Sequence, residues 1–153
     1  MSEWSRATRE CKIDELNPLM MSAIRKRLES YNIDLAKETL IICCETTSVR
    51  NVRKLFRSSS EVVKTSVVLT TQWLIWAALK DSSAFSFRCG RLRALTVQDY
   101  ERSELNGLMP DTGLNISGLQ SDTLEPSVLF LGLGTDVSSL KFRELLKTAT
   151  AAS

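Results

Sequence analysis

The stretch VVLTTQWLIWAAL, residues 67–79, constrains the fold more than any other feature of the chain. It carries Thr70, Thr71 and Gln72, and a bilayer-spanning helix needs about 20 apolar residues, so the segment is too short and too polar to cross a membrane. Read as a strand, it turns Val67, Leu69, Thr71, Trp73 and Ile75 to one side and Val68, Thr70, Gln72, Leu74 and Trp76 to the other. Both sets are largely apolar. The expectation is one central strand covered on both faces, one of them by amino-terminal helices. Trp73 and Trp76 then fall on opposite faces, as core side chains and not as two walls of one aromatic pocket.

The flanking segments speak the same language. TLIICCETTSVR, SAFSFRCGRLRALTVQDYE, GLNISGL and SVLFLGLG are rich in β-branched and aromatic residues and are separated by Ser, Asp, Gly and Pro clusters. In SAFSFRC, Phe85, Phe87 and Cys89 point inward while Ser86 and Arg88 point out. The closing TDVSSLKFRELLKTATA reads as a helix capped by Asp136 or Ser138, with Phe142, Leu145, Leu146 and Ala149 in one apolar stripe. GLGTD, at 132–136, is the turn feeding that cap and lacks the spacing of a phosphate loop.

Toward the start, Asn17 caps a helix with Pro18 in its first position, and Met20, Ile24, Leu28 and Tyr31 follow at helical spacing. A shorter helix through Trp4 and Ala7 precedes it. Residues 1–37 are therefore expected to form an N-terminal helical extension, and 38–153 one domain. At 153 residues a single domain with a true core is expected. The fold class is α+β: five or more mostly antiparallel strands curling into a barrel or sandwich, then a C-terminal helix.

Composition excludes several chemistries. The chain has no histidine, which removes the commonest general base, metal ligand and pH switch, and with them any Ser-His or Cys-His nucleophile pair within the chain. Twenty Lys and Arg against eighteen Asp and Glu leave +2, too little to make nucleic acid an expected partner. Cys11, Cys43, Cys44 and Cys89 show no CxxC spacing, so no metal and no cofactor is expected. On a strand, Cys43 and Cys44 point to opposite faces, one in the core and one near the surface, as structural thiols of a reducing compartment. A vicinal-dithiol sensor at this pair is a weaker reading, because IICC is too apolar to be exposed. Asp99, Glu101, Glu104 and Asp111 lie among Ser, Asn, Gly and Pro in a solvated loop. No catalytic residue emerges, and the chain reads as a non-enzyme. MSEWSRATRECK has no apolar signal region, so a cytoplasmic location is expected.

The order of elements resembles the pleckstrin-homology-like superfold, including its GRAM and bacterial members. VVLTTQWLIW is similar to that family's second or third strand, and LRALTVQDYE to a later strand element. GLNISGL, SVLFLGLG and the helix from SSLKFRELLKTA complete the likeness over residues 38–150. The resemblance implies a strongly bent antiparallel sheet plugged at one end by the C-terminal helix. Its members include lipid binders, peptide binders and self-assembling scaffolds, so fold alone does not name a ligand.

One charged run stands out. Arg50, Arg53, Lys54 and Arg57, in SVRNVRKLFR, are spaced to share one face of a helix. In lipid-binding members of the family, basic residues near the first strands hold phosphates, and this run falls near that place. It is the candidate anion- or lipid-binding site. Arg88, Arg91 and Arg93 form a second basic group, expected to pair with surface carboxylates such as Asp99 and Glu101. The expected function is non-catalytic binding or scaffolding through a protein partner or self-association, by a sheet edge or the helical face. The alternative is attachment to anionic membrane lipid through the basic run.

Overall fold

A hairpin divides the stretch that anchors the sequence reading. In the computed structural model, which describes residues 3–55, 57–81, 83–121 and 128–153, and of 52–54, 57 and 58 the backbone alone, the chain reverses at Thr71 and Gln72. β3 (Arg57–Thr70) ends there and β4 (Trp73–Lys80) begins. The cause is Thr70. Its hydroxyl accepts the N–H of Trp73 at 2.9 Å and that of Gln72 at 3.2 Å, a side-chain-closed turn that competes with further extension. The reversal reassigns the faces: Val68 pairs with Ile75 and Leu69 with Leu74. From Thr65 to Thr70 and from Leu74 to Ala77 the two strands are nonetheless covered on both sides, as a doubly apolar pattern requires.

These two strands are the centre of a five-stranded antiparallel sheet in the order β1-β2-β3-β4-β5, with β1 at Trp4–Glu10, β2 at Leu40–Lys54 and β5 at Ala84–Arg91. The expected helix through Trp4 and Ala7 is strand β1. Trp4, Arg6 and Thr8 alternate inward while Ser5 and Ala7 face solvent, which is a period of two and not of 3.6. β1 pairs with β2 from Trp4–Arg50 to Glu10–Cys44, so the main sheet extends across the boundary expected at residue 37.

One face of this sheet carries the row Cys43, Val68, Ile75 and Cys89, and helix α1 (Pro18–Ser30) lies over it. Asn17 caps α1 with its side chain on the N–H groups of Leu19 and Met20, with Pro18 in the first turn, as the sequence implies. Met20, Ile24 and Leu28 are buried on the chain's own strands, so this stripe is intramolecular. The other face carries Ile42, Cys44, Val67, Leu69 and Leu74. A second antiparallel sheet covers it, in the order β6 (Thr96–Asp99), β7 (Gly113–Ser117), β8 (Leu129–Gly132). Leu114, Ile116, Leu129 and Leu131 supply its apolar side.

The one-residue step between Cys43 and Cys44 thus separates two cores, and both thiols are buried. The expectation of one near the surface fails because each face has its own cover. Helix α3 (Val137–Ala151) closes the second core with Phe142 and Leu146, capped by Asp136 on the N–H of Ser139. A four-residue helix, α2 (Leu105–Leu108), sits in the connection from β6 to β7. The architecture is α+β, with eight antiparallel strands among the described residues in two stacked sheets and a C-terminal helix. No helix among the described residues is long and apolar enough to cross a membrane.

Candidate functional site

The alternation in β1 puts Trp4 and Arg6 on the side that faces the second sheet, level with Arg50 and Ser48 of β2. Across from them, the register of the small sheet aligns Gln98, Asn115 and Phe130 in one row. Beyond β6 the chain makes a 3-10 turn through Tyr100 and then α2. Between these walls lies a cleft of about 740 Å³, floored by Trp4, Tyr100 and Phe130. That volume is ordinary for a ligand site. Its rim is apolar and uncovered: Leu105, Leu108, Met109 and Val128 are all exposed, Leu108 by 82%.

Arg6 builds the back of the site. Its Nε and Nη2 donate to the two oxygens of Asp111 at 3.0 and 2.8 Å, a bidentate pair, and Nη1 donates to Ser48 Oγ at 2.7 Å. The guanidinium lies 4.9 Å from the Trp4 ring centre and 5.5 Å from that of Phe130. Gly132 makes room for it, since a Cβ there would collide with the guanidinium. Arg50 also approaches the Trp4 ring, at 5.2 Å, so the indole has two cations within cation–π reach. The Tyr100 and Phe130 rings are 4.7 Å apart, tilted by 56°. Tyr100 also donates its hydroxyl to the Met109 carbonyl at 2.6 Å, which ties the α2 rim to the floor.

The charges here are already matched. Arg50 donates to Glu61 at 2.6 Å and lies 3.9 Å from Glu3, while Asp111 has Arg6. Hydrogen bonds from Lys80 and Arg50 hold the half-buried Glu61 carboxyl below its usual range. An anion entering the cleft would have to displace one of these carboxylates. An apolar group would not. The arrangement can accommodate apolar or aromatic groups, with the polar side chains of Gln98 and Asn115 on the same lining.

Of the predicted basic site, Arg50 is on the cleft wall. The run is not helical: it lies in the β2–β3 hairpin, where Lys54 stands opposite Arg57 and Arg53 opposite Ser58. Val49, Val52 and the long β-branched neighbours favour strand, and the helical face dissolves with the helix. The side chains of Arg53, Lys54 and Arg57 lie outside the described residues. The paired strands run on past the last partners of β1 and β4, Arg50 and Val63, as a two-stranded ribbon ending at Leu55, which is 91% exposed.

Arg91 stacks on Trp73 at 4.7 Å rather than reaching Asp99 or Glu101. Those two carboxylates belong to α3. Asp99 takes Lys147 at 2.9 Å and Arg143 at 3.3 Å, and Glu101 takes Arg143 at 2.8 Å. Asp99 and Asp111 are thus partly buried anchors and not members of a solvated loop. Of the cleft, sequence reasoning missed Trp4, Arg6, Tyr100, Met109 and Phe130. The W-x-R-x-T alternation at 4–8 is the signal that marks Trp4 and Arg6 as strand residues. Nothing local marks Asp111 as the partner of Arg6, 105 positions away. Comparison of the chain with family models, curated proteins and solved structures found no match.

Proposed function

We propose that this chain is a non-catalytic binding module of pleckstrin-homology-like architecture, and that its cleft receives an apolar segment of a partner protein. The observation that carries the reading is the uncovered rim of Leu105, Leu108, Met109 and Val128 around the Trp4, Tyr100 and Phe130 floor. Apolar residues gathered at a concave site signal a docking surface where scattered ones signal nothing. Contacts on both outer strands of the large sheet favour the cleft over strand addition there as the route to a partner. Thr8 in β1 gives its outward N–H to Asp136 at 2.7 Å, and Cys89 in β5 exchanges backbone bonds with Gln120 at 2.8 and 3.2 Å.

The test is selection from a random displayed-peptide library on the folded protein. Enriched peptides should carry two or more large apolar residues. Their affinity, read by Trp fluorescence, should fall at least about tenfold in Leu108→Glu, a change worth roughly 1.4 kcal/mol. Leu108 is exposed enough that the variant keeps its fold. Peptides that bind the variant equally well place recognition elsewhere and remove the proposal.

A second reading has its own observation, the protruding ribbon. Its sequence brings Arg53, Lys54 and Arg57 into the hairpin end beside the exposed Leu55, a composition suited to an anionic lipid surface. Sedimentation with anionic and neutral vesicles separates the two. Binding confined to anionic vesicles and reduced by high salt and by Leu55→Ser supports it, and binding indifferent to lipid charge excludes it.

A further inference from the structure

We infer that Cys11 and Cys43 form a reversible disulfide site, distinct from the adjacent Cys43 and Cys44. The two Sγ atoms stand 3.9 Å apart, and the Cys11 N–H donates to the Cys43 carbonyl at 3.0 Å, which holds the two backbones in register. A disulfide needs the sulfurs at about 2.05 Å, within reach of a side-chain rotation at the half-buried Cys11. The alternative pairings fail on geometry. Cys44 points into the opposite core. Cys89 shares the face of Cys43 but lies three strands away through Val68 and Ile75, about 14 Å at the usual strand spacing.

Access comes from one side. A surface hollow of about 490 Å³, lined by Lys12, Asp14, Arg25, Leu40 and both cysteines, opens onto the pair. Cys11 is the partly exposed member and Cys43 the buried one. That division assigns the roles of attacking and resolving thiol. Burial raises both thiols above their usual value, Cys43 far more. The raised values disfavour the thiolates through which exchange proceeds at neutral pH.

The oxidant class is a small disulfide. The Cys11 thiol loses its proton and its sulfur attacks one sulfur of the small disulfide. That S–S bond breaks, and the departing thiolate takes up a proton. Cys43 then loses its proton, its sulfur attacks Cys11 Sγ, and the second small thiolate leaves and is protonated. Two protein thiols and one small disulfide become one protein disulfide and two small thiols, with two electrons passing to the small molecule. The product ties the end of β1, the strand that brings Trp4 and Arg6 to the cleft, covalently to β2.

The experiment equilibrates the folded chain in glutathione buffers of increasing oxidised-to-reduced ratio, followed by acid quenching, alkylation and peptide mass mapping. The expected result is loss of two thiols and a single Cys11–Cys43 cross-link, reversed by dithiothreitol, with the melting temperature raised by about 5–10 °C. Cys11→Ser abolishes the cross-link, Cys44→Ser leaves it, and Cys43→Ala stops at a glutathione adduct on Cys11. Should Cys43→Ala fail to fold, the map of the wild-type chain decides alone. A cross-link between any other pair, or four free thiols throughout, overturns the inference.

Discussion

At the scale of single residues, the contact that holds the cleft together is the one between Arg6 and Asp111. Their side chains are 10% and 14% exposed, so neither charge can recover much hydration if the other is lost. Asp111→Ala is expected to cost about 2–4 kcal/mol in chemical denaturation, and Arg6→Lys less, because a lysine keeps the charge but not the fork. A loss under about 0.5 kcal/mol for Asp111→Ala would show the pair to be screened like a surface one. Residues whose partners are near in sequence were legible. Asn17 and Pro18 cap α1 where a helix start was read, and the parity of Cys43 and Cys44 held. What parity alone could not convey is that both sides of β2 are covered, since that depends on α1 and on a second sheet more than fifty residues away.

At the scale of elements, α3 is fastened twice, by its apolar stripe and by ion pairs to Asp99 and Glu101. Burial opposes the charged form of both carboxyls, yet the hydrogen bonds and charges of Lys147 and Arg143 outweigh it and hold both below their usual 3.8 and 4.5. Lowered folded-state values mean that the unfolded chain binds protons first as pH falls. The stabilisation is therefore whole above pH about 4–5 and drains away as pH drops through the folded-state values. Asp99→Asn should lower stability at pH 7 and flatten its loss between pH 5 and 3, as followed by thermal melts. Parallel melting curves for variant and wild type across that range would contradict this. The α3 stripe was plain in the sequence, because 3.6-residue periodicity needs no tertiary knowledge. The 67–79 segment was not, because a turn closed by a threonine hydroxyl carries neither Gly nor Pro to announce it.

At the scale of the molecule, the class was legible while the full order of strands and their closure were not. Alternating apolar runs imply stacked antiparallel layers, and eight strands in two sheets fulfil that. The place of β1 was hidden, because WSRATRE has only one strongly apolar residue and pairs with a strand thirty positions on. Removing residues 137–153 would uncover Leu114, Leu131, Leu133 and the rest of the second core. The truncated chain should lose its cooperative melt and bind a hydrophobic dye, and an unaltered melt would deny α3 its part in the core.

The bond from Thr8 to Asp136 also sets a clock. It spans 128 residues, so strand β1 is sealed by a loop made much later. Once residue 54 has left the ribosome, β1 can join β2, but its outer edge stays open until Gly134 and Asp136 arrive. At roughly 5–20 residues per second, that interval lasts on the order of ten seconds, in which neighbouring nascent chains can pair through the open strand. Slower translation lengthens the interval, and crowding of ribosomes on one message brings the open edges together. Yield of the folded chain should therefore rise when synthesis of its second half is fast.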